Sequence, residues 1–276
     1  MIGLVTDSNA MLPPELADRY GVEVVPLSVT VDGVVHLEGI DLDADAFYAR
    51  FASGTPSVST SQPSPGHFAT AYRAVADRGA TEILSVHIGS NVSGTVNSAR
   101  LAASGAPVPV RVVDTGTASF AVACCVWEAG EALAAGATVE EAAATAEAVG
   151  ATVGNVFVVG ALDMARAGGR LAADAGGPAG GIPVLTLSEG VMQAVGRVDD
   201  LDGAAAAMAA HIRSSGTSLR VGVGVADTGA LPMVEALEER LAGVPEVREL
   251  VRYRIGPSVG AHTGPGTVGA MYYPTG

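Results

Sequence analysis

The sequence contains no lysine, since all 15 of its basic residues are arginine. That absence excludes two chemistries. A Walker-type phosphate loop ends its glycine run on a lysine, and Schiff-base catalysis needs a lysine amine. Cysteine is nearly absent as well. Cys124 and Cys125 are neighbours in an Ala/Val-rich helical stretch where successive side chains diverge, so they predict buried structural thiols and not a disulfide or redox pair. Aromatic residues make up only 4% of the chain, and the 15 basic residues face 29 acidic ones. The resulting net charge of −14 speaks against nucleic acid or an anionic membrane surface as a partner. The longest apolar run, around Ala121 to Trp127, falls far short of the ~20 residues that span a bilayer. No basic segment precedes the first apolar stretch at Ile2, so a soluble, cytosolic protein without stable membrane insertion is expected. In that compartment Asn91-Val92-Ser93 is no glycosylation acceptor.

What the chain does have is aliphatic and patterned. At 276 residues it exceeds the size at which single cores stop growing, and two domains are expected, 1–150 and 151–276. In the first, "IGLVTDS" predicts a buried strand, "LPPELADRYG" a short helix closed by Gly21, and "VEVVPLSVTVDGVVHLEG" strands turning at Asp32-Gly33. A helix over "IDLDADAFYARFASG", a polar loop over "TPSVSTSQPSP" and a helix capped by Ser64 follow. "TEILSVHI" and "VRVVDT" are strands, residues 93–104 a helix, and two Ala-rich helices come next, the second capped by Thr138 with Glu141. Strands alternating with helices imply an α/β domain of Rossmann-like type, with a parallel sheet covered on both faces. The second domain reads as a mixed sheet with helices. It includes a hairpin turning at Glu189-Gly190 and a glycine-rich insert over "LAADAGGPAGG".

Several motifs fail on inspection. "GPGTVG" places Gly264, Gly266 and Gly269 at dinucleotide-binding spacing. However, Pro265 sits where the loop must donate hydrogen bonds, and the sequence reaches Gly276 before any acidic partner for a ribose. Asp41, Asp43 and Asp45 resemble the opening of a calcium loop, but Ala46 and Ala52 stand where glycine and glutamate belong, so a solvated helix start is expected. The histidines show no paired metal-ligand spacing. His36, His67, His87 and His211 read as structural, and no metal is implied. Ser93 stands at a strand-to-helix junction, but Asn91 breaks the G-x-S-x-G elbow. Three readings of "GSNVSGTVNSAR" remain open. Ser93 could be the nucleophile of a serine hydrolase acting on acyl esters, with His262 and Asp7 or Asp114. Ser93-Gly94-Thr95 could cradle a carboxylate or phosphate at a helix start, or simply cap it. Ser59, Thr60, Ser61 and Ser64 form a second hydroxyl cluster before another helix.

Taken together, Thr6-Asp7-Ser8, Val25-Pro26-Leu27, Thr60-Ser61-Gln62-Pro63-Ser64, Ser93-Gly94-Thr95 with Ser98-Ala99, Gly168-Gly169-Arg170 and His262-Thr263-Gly264-Pro265-Gly266 resemble, in order and spacing, the DegV family over nearly the whole chain. The resemblance implies a two-domain α/β protein that holds one long-chain fatty acid between its domains as ligand, with no cofactor. It further implies a carrier, not an enzyme, which presents the carboxylate to a dihydroxyacetone-kinase-like fatty acid kinase and carries the acyl phosphate in phospholipid metabolism. Carried over residue by residue, Thr60, Ser93 and His262 bind the carboxylate, with Ser61 and Gly94 in the same set. Asp7, Ser8, Thr95 and Arg170 form a second layer. Two features depart from the family pattern: the glycine-rich stretch between Arg170 and Pro183, and Ile182 where the family often has lysine.

The composition suits such a ligand independently. Burying an acyl chain gains about 0.8 kcal/mol per methylene, on the order of 10 kcal/mol for a long fatty acid before ordering costs. A chain 49% apolar and poor in aromatics can line a tunnel with aliphatic side chains, and a few hydroxyls fix one end.

Overall fold

The computed structural model describes residues 1–167, 180–188 and 191–275. Arg170 with Gly168-Gly169, and the turn at Glu189-Gly190, lie outside the described residues. The chain forms two compact units, Met1–Leu42 with Ser57–Thr152, and Asp43–Pro56 with Val153–Gly276. The expected division at residue 150 thus misses an excursion, because residues 43–56 pack with the second unit while the chain on either side belongs to the first.

The first unit opens with β1 (Ile2–Asp7), α1 (Pro14–Tyr20), β2 (Glu23–Val25), β3 (Ser28–Val31) and β4 (Val34–Leu37). Gly21 ends α1 in the left-handed conformation that glycine tolerates best, at φ 59°. Asp32 and Gly33, both at positive φ, make the tight turn between β3 and β4. After α2 (Ala44–Ala49) the chain returns as β5 (Val58–Ser61), α3 (Pro65–Asp77), β6 (Glu82–His87), α4 (Thr95–Ala103), β7 (Val110–Asp114), α5 (Phe120–Ala134) and α6 (Val139–Thr152). Strands β2-β1-β6-β7 form a fully parallel sheet. Its two faces bury separate aliphatic layers. Phe68, Tyr72 and Val75 of α3 pack with Val96 and Ala99 of α4 on one face, and Cys125, Val126 and Ala129 of α5 pack with Ala142 and Ala146 of α6 on the other.

β5 corrects the sequence reading, which made residues 55–65 a polar loop. Val58 and Thr60 lie opposite Val31 and Val29 of β3, so the alternating β-branched residues find a partner strand in the antiparallel sheet β4-β3-β5. Polarity hid the strand because its other face, Ser59 and Ser61, is exposed.

The second unit continues with β8 (Gly154–Val158), α7 (Leu162–Ala167), β9 (Ile182–Ser188), β10 (Val191–Val198), α8 (Leu201–Ser214), β11 (Leu219–Val225), α9 (Leu231–Leu241), β12 (Val247–Arg254), α10 (Pro257–Thr263) and β13 (Val268–Pro274). Its sheet, ordered β10-β9-β8-β13-β11-β12, is mixed, with β11 and β12 parallel and the other pairs antiparallel. α8 and α9 cover one face through Met208, Ile212, Val234 and Leu237. The fold is α/β in both units, as the alternation of strands and helices implies. The glycines of "GPGTVG" lead into strand β13 and not into a helix, which removes the dinucleotide reading. Among the described residues, no helix is long and apolar enough to cross a membrane.

Candidate functional site

Within the parallel sheet, the connection leaving β1 passes to the α5/α6 face and the connection leaving β6 passes to the α3/α4 face. Strand order reverses between β1 and β6. Their carboxyl ends therefore flank the crevice where open α/β sheets receive ligands. The two loops there carry Asp7-Ser8 and Gly89–Gly94, so the topology and the motifs meet at one place.

Ser93 is half-buried just before α4. Its Oγ lies 2.9 Å from the Thr95 hydroxyl and accepts the Thr95 N–H at 3.3 Å, while its own N–H donates to the Gly89 carbonyl at 3.0 Å. Gly94 supplies no side-chain cap. The paired hydroxyls and the positive end of the helix dipole make an anion-accepting corner. Gly94 also permits a close approach, since a Cβ there would fall 2.1 Å from the Gln62 side chain. Gln62 donates to Ser98 Oγ at 3.4 Å, which ties the end of β5 to α4. The structure thus brings the Thr60–Gln62 segment beside Ser93-Gly94-Thr95.

Thr60 and Ser61 themselves diverge. Thr60 lies on the half-buried face of β5 opposite Val29, and Ser61 is on the exposed face opposite Ser28. Ser8 is half-buried; its hydroxyl accepts the Leu27 N–H at 2.9 Å and donates to the buried carboxylate of Glu38. In the second unit, His262 is half-buried in the last turn of α10, a helix that runs into a glycine turn. That turn follows directly. Gly264 has φ 73°, Thr267 Oγ1 donates to the carbonyls of Thr263 and Gly264, and the Gly266 N–H donates to Asp227.

Asp7 is fully buried and accepts three donors: the Asn9 N–H at 3.1 Å, the Ile88 N–H at 3.1 Å and His87 Nδ1 at 2.9 Å. Beyond it a chain continues from His87 Nε2 to Ser85 Oγ at 2.6 Å and from Ser85 to the Tyr72 hydroxyl at 2.9 Å, all sealed from solvent. Desolvation pushes the Tyr72 phenol up to about 12, against a smaller lowering by its Ser85 hydrogen bond. Asn9 extends the tie to the third loop by accepting the N–H of Ser119, a serine held at φ 62°. Ser85, Asn9 and Glu38 escaped the sequence reading, which took His87 as structural. The available signal was period 2 in β6, where Ser85 and His87 are the polar residues on the face they share with Ile83.

This arrangement does not favour a Ser93 hydrolase. Asp7 is engaged by His87, Asn9 and Ile88, and Asp114 accepts the N–H groups of Ser90 and Gly116 at 3.0 and 3.1 Å. The Ser-His-Asp series that does assemble, Ser85-His87-Asp7, has no exposed atom through which an ester could reach the hydroxyl. Among the described residues no group of His, Cys, Asp and Glu could hold a metal ion. Both cysteines are buried thiols outside any disulfide.

A curated DegV domain-containing protein of Streptomyces coelicolor is 36% identical over 274 residues, covering 98% of this chain and 97% of the relative. One from Deinococcus radiodurans is 36% identical over 280 residues, with 99% and 98% covered. Among solved structures, a DegV family protein from Thermus thermophilus, described for its fatty acid binding, matches with TM-score 0.90 at 35% identity over 99% of each chain. DegV of Bacillus subtilis, described as a fatty acid binding protein, matches with TM-score 0.86 at 25% identity, again over 99% of each chain. A family model described as "Uncharacterised protein, DegV family" matches residues 1–275, and the chain belongs to the DegV family.

Proposed function

We propose that this protein is a cytoplasmic, non-enzymatic carrier that binds one long-chain fatty acid and presents its carboxylate to a dihydroxyacetone-kinase-like fatty acid kinase. On this reading it carries fatty acid and acyl phosphate for phospholipid metabolism and needs no cofactor. Thr60 and Ser93 bind the carboxylate, Gly94 and Thr95 shape the corner around it, and His262 is a further donor to the same group. Asp7 and Ser8 support that layer from behind, and Ser61 and Arg170 belong to the wider set that the family resemblance implies. The observation that carries the reading is the Ser93–Thr95 hydroxyl pair at the start of α4, with β5 drawn against it through Gln62, at the switch point of the sheet. The fatty acid binding described for the Thermus relative, at 35% identity over the full length, supports the choice of ligand.

Extraction of the purified protein followed by mass spectrometry tests it. The expected yield is close to one fatty acid per chain, with delipidated protein taking up added oleate. No acyl chain in the extract together with no uptake of oleate or palmitate ends the proposal. The kinase role is tested by supplying loaded protein, a fatty acid kinase and ATP, where acyl phosphate must form. Binding without acyl phosphate leaves a carrier of another kind.

A further inference from the structure

We infer that Asp7 and His87 are positioning residues that set the loop bearing Ser93, and so govern how strongly the site prefers a carboxylate over a neutral head group on the same acyl chain. The inference rests on the proposed fatty acid binding and deepens it.

The observation behind it is a polar chain in the wrong place for stability. Asp7, Ser85 and His87 on the aliphatic parallel sheet and Tyr72 on the helix α3 that covers it are all fully buried. Removing a carboxylate and an imidazole from water costs several kcal/mol, and well-packed apolar residues of similar volume usually serve a core as well or better. What apolar residues could not do is collect N–H groups from two separate loops. Asp7, at the end of β1, accepts the Asn9 N–H from its own loop and takes both the Ile88 N–H and His87 Nδ1 from the end of β6. Ile88 begins the loop that reaches Ser93. The Gly89 N–H donates to the Thr117 carbonyl at 2.7 Å, and the Gly89 carbonyl receives the N–H groups of Val92 and Ser93 at 2.9 and 3.0 Å. Ser93 therefore inherits its position from Asp7 through Ile88 and Gly89.

His87 is held as firmly as it holds. Ser85 meets its Nε2, and Phe68 packs against the ring with centroids 5.0 Å apart at 80°. The ring cannot turn away from Asp7 without breaking both contacts. Acyl-chain burial is non-directional and depends little on where this loop sits, whereas hydrogen bonds to a carboxylate weaken steeply with distance and angle. Loosening the loop should reduce affinity for the charged head and spare affinity for the tail. A residue that merely kept the fold intact would affect both.

The test uses delipidated full-length protein and two probes, oleate and oleyl alcohol, each titrated against wild type, His87→Phe and His87→Asn. Phenylalanine keeps a ring and removes both hydrogen bonds, while the asparagine amide can replace Nδ1–H towards Asp7. In His87→Phe the preference for oleate over oleyl alcohol should fall about tenfold with the alcohol affinity within about twofold of wild type, and in His87→Asn the preference should stay within about threefold. Equal loss of both probes in His87→Phe, or an unchanged preference, overturns the inference. Should His87→Phe fail to fold by circular dichroism, Asp7→Asn takes its place with the same expected loss and the same overturning result. If wild type itself shows no preference for oleate, the carboxylate reading falls, and amide hydrogen exchange in ligand-free protein decides the present point. Faster exchange at Gly89, Val92 and Ser93 in His87→Phe than in His87→Asn supports it, and equal rates sink it.

Discussion

The two units differ in what their conspicuous loops add to side-chain hydrogen bonds. In the first, the loops after β1, β6 and β7 are tied by buried side chains: Asp7 to Asn9, Ile88 and His87, Asn9 to Ser119, and Thr115 Oγ1 to the His87 carbonyl at 2.8 Å. In the second, the turn after α10 has bonds to the Thr267 and Asp227 side chains, but it also packs where no further side chain fits. A Cβ on Gly160 would lie 1.8 Å from the Pro265 carbonyl oxygen, and one on Gly264 would lie 2.4 Å from Ala161 Cβ. A side-chain clamp can be altered while the backbone stays put, so it suits a loop whose hydroxyl must be aimed. The clamp at Gly160 is all or nothing, since there backbone meets backbone and neither can move aside.

The contrast is broken most severely at Gly160. Gly160→Ala should cost about 3 kcal/mol or more in urea unfolding, because the clash is with main chain on both sides. A loss under about 1 kcal/mol would show that the turn yields and that the two clamps are alike. Ser93→Ala probes the other side. Losing one hydrogen bond to a charged group should lower oleate affinity about 10-fold to 150-fold with the fold unchanged by circular dichroism, and a Ser93-dependent turnover of chromogenic esters would instead restore the hydrolase reading. Ser64→Ala should be milder, about 1 kcal/mol, because Ser64 Oγ accepts the His67 N–H at 3.3 Å and caps α3, the helix that carries Phe68 and Tyr72.

Asp114 gives the smallest expected effect and a pH signature. Partial burial raises its carboxyl, but hydrogen bonds from the Ser90 side chain and the N–H groups of Ser90 and Gly116, with the charge of Arg100, outweigh this and leave it below its ordinary value. A depressed carboxyl stabilises above its unfolded pKa and loses that contribution as pH falls through its folded value. Asp114→Asn should therefore cost less than about 1 kcal/mol at neutral pH after solvent screening. Its gap from wild type in urea midpoint should close as pH falls below the ordinary carboxylate range and through the depressed folded value. A gap that persists there assigns the effect to geometry and not to charge.

Much of this molecule was legible in its sequence, for reasons that differ by element. β1 and β6 announce themselves as short aliphatic runs, and α3 is bracketed by Ser64, Pro65 and Gly79. Ser93 and Thr95 were legible as a pair because the hydroxyls flank a helix start that strand and helix signals locate. β5 was not, because its pairing partner β3 lies about 30 residues away and half of its face is hydroxyls. Residues 43–56 joined the second unit through contacts such as Asp45 with Arg254, which no local pattern records. The partners of His87 were hidden for a similar reason. A lone histidine is structural by default, and only the parallel register of β1 against β6 places it beside Asp7.

The paired thiols of α5 act as a clock. Cys124 and Cys125 are buried in the first unit, and burial pushes the Cys125 thiol up to about 12. Reaction requires both access and ionisation, so native molecules should be inert to thiol reagents, and each labelling event should count one excursion of α5 away from the sheet. Measured in rising urea, labelling rates report the free energy of that excursion without an added probe. The helix behind the crevice can then be timed against ligand occupancy, which shows whether filling the site steadies the face opposite α3 and α4.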